Sequence, residues 1–267
     1  MDLLQTPFKL DGRDIGKFRE QGFVKLFQVL DAETIDRYEP EITKKVEGLN
    51  TVTVPMEERT TYQRAFLQVW GLWKQSHAIR QFVFSSRLAR IAAELLEVDA
   101  VRLYHDQALF KEGGGGITPW HADQFYWPVS SDRICTIWIP LQDTPLEMGP
   151  LAFSAGSHRF DYGRDLPISD QSEQELQDAL SARGFPTIEE PISVGDVTFH
   201  LGWVFHRASP NLTDQVRRAM TIIYVDAAAT IAEPINEKQA FNINICMPGG
   251  IVGQPPPTAS NPILYSR

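Results

Sequence analysis

The chain has 267 residues, 43% of them hydrophobic and 22% charged, so it carries enough apolar material for a sizeable core. Its 25 Lys and Arg stand against 34 Asp and Glu, a formal net charge of -9 that argues against nucleic acid or an anionic membrane as the main partner. Cys135 and Cys246 are too few for a disulfide framework and suit a reducing compartment. No apolar run approaches the roughly 18 residues of a membrane span, and Met1 to Leu10 has no apolar signal core. A soluble, cytoplasmic protein of one domain is the expectation, and nothing in the chain fixes an oligomeric state.

The first hundred residues read as mostly helical. Arg13 to Gln21 is a short helix stopped by Gly22, and Phe23 to Phe27 is a strand. Asp31 caps a helix running toward Val46, with Ile35, Tyr38 and Ile42 on its apolar stripe. Ser85 or Ser86 opens another, whose buried face is Leu88, Ile91, Ala92, Leu95 and Leu96. After Asp99 the pattern turns to strands: Val101 to Tyr104, Gln107 to Phe110, Cys135 to Leu141, Val197 to Phe205, and Met220 to Val225. Gly113 to Gly116 reads as a mobile rim loop; it lacks the Lys-Ser/Thr of a phosphate cradle. A helix over about Asp170 to Ala182 ends before Gly184, and the Pro/Gly-rich tail from Pro248 to Pro262 is irregular. The order predicts one sheet-rich core with helices packed outside it.

The chemistry is carried by histidines and carboxylates. Of six histidines, only His121 has a carboxylate two positions on, in Trp120-His121-Ala122-Asp123. In a strand, residues two apart share a face, so this pair can grip one metal ion. A facial triad of two His and one carboxylate needs one more His and keeps other positions open. The best third ligand is His206, after the Gly195-Asp196 turn and the strand beyond it. His200, six residues earlier, has the parity to share its face. Eleven residues after His206 comes Arg217. A hairpin with its loop near Pro210 to Asp214 would bring that Arg beside the metal, where it could pair with the far carboxylate of a dicarboxylate cosubstrate. Each residue also has a plainer reading: a satisfied core histidine, a turn-capping Asp123, a solvated Arg217-Arg218 pair.

These residues resemble the phytanoyl-CoA dioxygenase family of iron- and 2-oxoglutarate-dependent oxygenases. The matching stretches are Tyr104 to Lys111, Thr118 to Gln124, Trp138 to Leu141, Gly149 to Leu151, Gly156 to His158, Gly195-Asp196, and His206 through Asn211 to Arg217. The resemblance runs from about Asp14 to Val225. It implies a mainly β fold with flanking helices, built on a double-stranded β-helix of the jelly-roll, cupin-like kind. One domain would span 1–267: a helical part to about 100, the jelly roll over about 101–230, then the tail.

Carried over residue by residue, the resemblance implies Fe(II) bound by His121, Asp123 and His206, and 2-oxoglutarate paired to Arg217. Gln107 and the fainter Gln68 stand where relatives place further cosubstrate contacts. Relatives often carry Ser two residues after the distal His; here that position is Ala208. Thr136 or Tyr104 would then supply the hydroxyl, or Arg217 would act with less help. Tyr126 and Trp127, just outside the ligand pair, are candidates for a substrate wall. The segment from Phe160 to Pro191 and the tail are expected to form a lid.

The implied activity is hydroxylation of a small molecule using O2, with release of succinate and CO2. Halogenases of the superfamily replace the carboxylate with a small residue, so Asp123 favours hydroxylation over halogenation. Two alternatives remain: a cupin-type enzyme using zinc or manganese without 2-oxoglutarate, and a non-catalytic metal-binding barrel. The acidic net charge disfavours the phosphates of a CoA substrate unless Arg159, Arg164 and Arg207 form a local patch.

Overall fold

Side-chain alternation along the strands sets the architecture. In β10 (Arg217–Asp226), Met220, Ile222 and Tyr224 are buried in one apolar cluster, while Ile223 and Val225 belong to another on the opposite face. Its neighbours β5 (Ile134–Pro140) and β8 (Val197–Leu201) repeat this: Cys135, Ile137, Ile139, Val197 and Phe199 pack on the first face. That face is covered by α2 (Ala32–Leu49), α4 (His77–Val83) and α5 (Ser86–Leu96), through Ile35, Tyr38, Phe82, Leu88 and Ile91. The other face is free to carry polar groups.

The computed structural model describes residues 2–267. The major sheet runs β1 (Phe23–Leu26), β8, β5, β10, β3 (Ala100–Lys111), β11 (Ile263–Ser266), with β2 (Leu67–Trp70) also on β3. The minor sheet is β4 (Thr118–His121), β9 (His206–Ala208), β6 (Leu151–Ser154) and β7 (Thr187–Glu189). The mostly antiparallel sheets and flanking helices are those of the jelly-roll fold expected from the sequence. Helices α1 (Gly12–Gln21) and α3 (Thr61–Ala65) flank the first strands, α6 (Asp170–Ala182) packs on β4, and α7 (Glu237–Cys246) lies in the C-terminal part.

The capped helices fall where their sequences place them. Asp31 accepts from the Thr34 N–H and Ser85 from the Leu88 N–H, while Gly22 closes α1 in a left-handed conformation. Four features differ from expectation. The stretches Val101 to Tyr104 and Gln107 to Phe110 are one strand, β3. The stretch 197–205 is not one strand: β8 ends at Leu201 and a turn leads into β9. The stretch 248–262 is irregular as expected, but it is bracketed by α7, capped by Asn236, and by β11, where no element was expected. The segment 209–216 is not a hairpin loop, because β9 belongs to the minor sheet and β10 to the major one. Arg217 therefore arrives by crossing between sheets.

On the helix-facing side of β3, Asp106 is wholly buried. Its Oδ2 accepts the Trp73 N–H at 3.1 Å, and Oδ1 has no partner. Burial pushes its carboxyl up from 3.8 to about 7. Between those values the folded chain holds a proton that the unfolded chain releases, so this group's contribution to stability is lost as pH rises through the window. Asp106→Asn keeps the acceptor and cannot ionise. Urea unfolding should show it more stable than the parent by about 2–4 kcal/mol at pH 8, with a much smaller gain at pH 5. An equal effect at both pH values would mean that Asp106 is ionised in the fold.

Candidate metal centre

His121 ends β4 and His206 begins β9, and the two are cross-strand partners in the minor sheet. Asp123 does not continue β4; it opens a short 3-10 turn, Asp123–Tyr126. The turn, rather than strand parity, swings its carboxylate back over the histidines. One ligand atom from each of the three lies within 4.8 Å of the others, the one such group of His, Cys, Asp and Glu among the described residues. Asp123 Oδ1 is 3.6 Å from His121 Nε2 and 3.8 Å from His206 Nε2. The histidines are aimed from behind: Nδ1–H of His121 donates to the Pro119 carbonyl at 2.7 Å and that of His206 to the Val204 carbonyl at 3.1 Å. Each bond leaves Nε2 as a bare donor toward the centre, as a metal ligand requires.

Burial would raise the Asp123 carboxyl, but His206, His121 and His200 outweigh it and hold it well below the usual range. Burial and the facing His121 push His206 well below the ordinary histidine value. The site thus offers one carboxylate and two imidazoles whose Nε2 atoms face the centre, the donor set that suits a divalent transition metal with open positions. His121 and His206 are buried and Asp123 only half so, which places the opening on the Asp123 side.

Arg217 is fully buried on the inner face of β10. One terminal nitrogen donates to the Gly149 carbonyl at 2.8 Å, Nε has no partner, and the guanidinium lies 5.5 Å from the centroid of the Trp138 ring. Gly149 has φ +67°, and a Cβ there would stand 2.1 Å from the Ser209 carbonyl oxygen, so no side chain fits. No carboxylate pairs with Arg217 among the described residues. Burial pushes it down to about 10. A buried guanidinium with a free donor and no anion is the environment an incoming carboxylate completes. Trp138 and Thr136 are one same-face step apart on β5, about 7 Å, and Thr136 touches Asp123. The cation and the triad therefore share one interior. Arg218 points the other way and pairs with Glu39 on α2.

Lys111, the cross-strand partner of Arg217, was not singled out from sequence. Its Nζ reaches the carbonyls of Gly116 (2.5 Å) and Ser209 (3.0 Å) and the Thr118 hydroxyl (3.5 Å). Burial, then Arg217 and Arg207, push it down to about 6. Thr118 stands opposite Ala208, so a hydroxyl is present across the sheet from the missing serine. Neither substitute considered from sequence stands there. Thr136 donates to Asp123 Oδ2 at 3.2 Å, and the Tyr104 hydroxyl is buried without a partner in an apolar cluster.

The structure brings Gln68 and Gln107 together. Gln68 Nε2 donates to Gln107 Oε1 at 2.6 Å, and the Tyr62 hydroxyl donates to Gln68 Oε1 at 2.7 Å. Tyr62 is exposed, and its hydroxyl joins the site through the Gln68–Gln107 pair. Tyr126 stands on the turn beside Asp123, its oxygen accepting the Ile168 N–H at 2.8 Å. Trp127 turns inward instead, buried with Tyr104, Val129 and Ile134, because the turn ends at that residue. It is core, not wall. Trp70 stacks on His105 at 5.6 Å, and Phe241 of α7 lies 6.2 Å from Trp70. The expected lid segment is a clamp: on α6, Glu173 Oε2 accepts the Trp120 N–H at 2.8 Å and Gln177 Oε1 the Trp120 indole N–H at 2.9 Å.

The family model for phytanoyl-CoA dioxygenase (PhyH) matches residues 18–219. The chain belongs to that family. A phytanoyl-CoA dioxygenase domain-containing protein 1 of Danio rerio is 23% identical over 86% of this chain and 95% of its own length. A probable alpha-ketoglutarate-dependent hypophosphite dioxygenase of Stutzerimonas stutzeri is 27% identical over 57% of this chain, which spans about half, 54%, of that relative. The solved structure of the epimerase SnoN, with Fe3+, alpha-ketoglutarate and nogalamycin RO, is 26% identical with a TM-score of 0.79, covering 95% of this chain and 98% of that one. Iron, 2-oxoglutarate and O2 are typical of the family, and the donor set of the triad can bind iron.

Two expectations follow. His121→Ala and His206→Ala should each abolish stoichiometric Fe(II) binding, measured by anaerobic calorimetry, while circular dichroism keeps the fold. Arg217→Ala should weaken 2-oxoglutarate binding to the iron-loaded, oxygen-free protein by about 1.5–3 kcal/mol, one to two decades. Arg217→Lys should recover part of that, since Lys keeps the charge without the planar fork. Arg218→Ala should change nothing; a loss there and not at Arg217 would reverse the assignment on β10.

Proposed function

We propose that the protein is an Fe(II)- and 2-oxoglutarate-dependent dioxygenase that hydroxylates an unactivated carbon of a small-molecule metabolite. The carrying observation is a half-open triad of two histidines and one carboxylate beside a buried Arg217 that lacks an anion. When bound, iron with 2-oxoglutarate and O2 supplies the oxidising power and yields succinate and CO2. His121, Asp123 and His206 would hold the metal on one face, and Arg217 would hold the far carboxylate of the cosubstrate. Asp123 occupies the position a halide would need, which supports hydroxylation over halogenation.

The surroundings bear on the substrate. Tyr126 beside Asp123 and the Trp70–Phe241 pair would give the mouth an aromatic lining, which favours an organic substrate over a small oxyanion. An acyl-CoA is disfavoured, because the Arg patch is committed elsewhere. Arg207 pairs with Glu173 at 2.6 Å, Arg164 with Asp161 at 2.8 Å, and Arg159 donates to the Arg19 carbonyl at 2.7 Å. Likeness to an epimerase supports a second outcome from the same oxidation, inversion at a carbon instead of hydroxyl transfer. The buried Arg217 weighs against a hydrolytic zinc or manganese enzyme, whose chemistry has no use for it.

The test is succinate formation from 2-oxoglutarate by the protein given Fe(II), ascorbate and air. Iron-dependent succinate, absent in His206→Ala and restored in Arg217→Ala only at raised 2-oxoglutarate, is expected even without the true substrate. Fe(II) loading without any succinate, also in the presence of a broad metabolite extract, would favour the non-catalytic barrel. Turnover of that extract with zinc, without 2-oxoglutarate, would favour the hydrolase.

A further inference from the structure

The two oxygens of Asp123 have different neighbours. Oδ1 faces the Nε2 atoms of His121 and His206. Oδ2 accepts from the Thr136 hydroxyl at 3.2 Å and from His200 Nε2 at 3.3 Å. Thr136 on β5 and His200 on β8 are cross-strand partners, so the major sheet presents two donors side by side to one oxygen. The His200 ring is held in place. It is buried, its centroid is 5.3 Å from that of Phe153, and Phe153 stacks on Phe23 at 4.3 Å. Its Nδ1 is buried with no partner, so the Nε2 contact to Asp123 is the hydrogen bond the ring makes. A carboxylate free to rotate can chelate a metal through both oxygens. One whose second oxygen is engaged by two donors binds through the first alone.

We propose that His200 and Thr136 are positioning residues that restrict Asp123 to Oδ1 as its metal-facing oxygen and so keep open a coordination position that 2-oxoglutarate needs. This rests on the reading of the site as a 2-oxoglutarate-dependent iron centre. The donors come from the major sheet, whereas both histidine ligands come from the minor sheet. The spacing between the sheets thereby sets how the carboxylate meets the metal. A merely structural role predicts something different: both variants would lose metal and cosubstrate together, or neither.

The test uses the full chain with Fe(II) and 2-oxoglutarate as probes, without oxygen. Metal affinity is read by calorimetry and cosubstrate binding by the visible charge-transfer band of the iron–2-oxoglutarate chelate. His200→Leu and Thr136→Val should each keep one Fe(II) per chain at near-parental affinity. Each should need roughly tenfold or more 2-oxoglutarate to develop the band. His200→Gln and Thr136→Ser, which restore a donor, should recover most of the parental behaviour. Parental cosubstrate binding in both deletions overturns the proposal, as does a loss of metal affinity with unchanged cosubstrate binding. The Thr136 pair decides the matter alone should His200→Leu not fold. Absence of the band in the parent protein would instead overturn the reading of the site on which the proposal rests.

Discussion

Sealing one face of the major sheet against helices is what allows the other face to carry charge. Burying Met220, Ile222, Ile137 and Phe199 beneath α2, α4 and α5 stabilises the strands from outside. The inner face then carries only part of the packing, through Ile223, Val225 and Trp138, and leaves positions open to polar groups. Arg217, Lys111, Thr136 and His200 all stand on it, and each would be costly in a core that had to supply the fold's stability by itself.

Charge in that interior is arranged so that it closes only with occupants. Two histidines and one carboxylate leave a divalent ion partly uncompensated. On the proposed reading, the dicarboxylate supplies the remaining negative charge, and Arg217 balances its far end. Lys111, depressed by burial and by Arg217, need not add a second positive charge. Neutrality of the loaded interior follows from the residue types present, which explains why a lone guanidinium is tolerated there.

Much of the site was legible because its residues fall in short, chemically distinctive stretches. The fold class and the helix caps were readable too, since Asp31, Ser85 and Gly22 act through local bonds. What failed were inferences needing the third dimension. Arg217 follows His206 by eleven residues, which looks like a hairpin, but sequence spacing does not say which sheet a three-residue strand such as β9 joins. Parity paired His121 with Asp123, whereas the chain joins them through a 3-10 turn, and the same turn sends Trp127 into the core while Tyr126 stays at the rim. His200 was visible by parity, yet its role depends on Thr136 of another strand. Tyr62 and Phe241 lie far from any motif in the chain and reach the mouth only through packing.

The clamp on β4 has a further consequence. This strand, which ends in His121, is an edge of the minor sheet. Its outward Trp120 N–H meets the carboxylate of Glu173, and the opposite edge, β7, is only three residues long. An unpaired edge is a template on which another chain can add a strand. Here a side-chain oxygen already fills the slot that a foreign backbone carbonyl would take, and α6 lies across the approach. The margin next to the metal ligand is thereby closed to strand addition, so self-association through this edge is blocked by the same contacts that hold β4 in place.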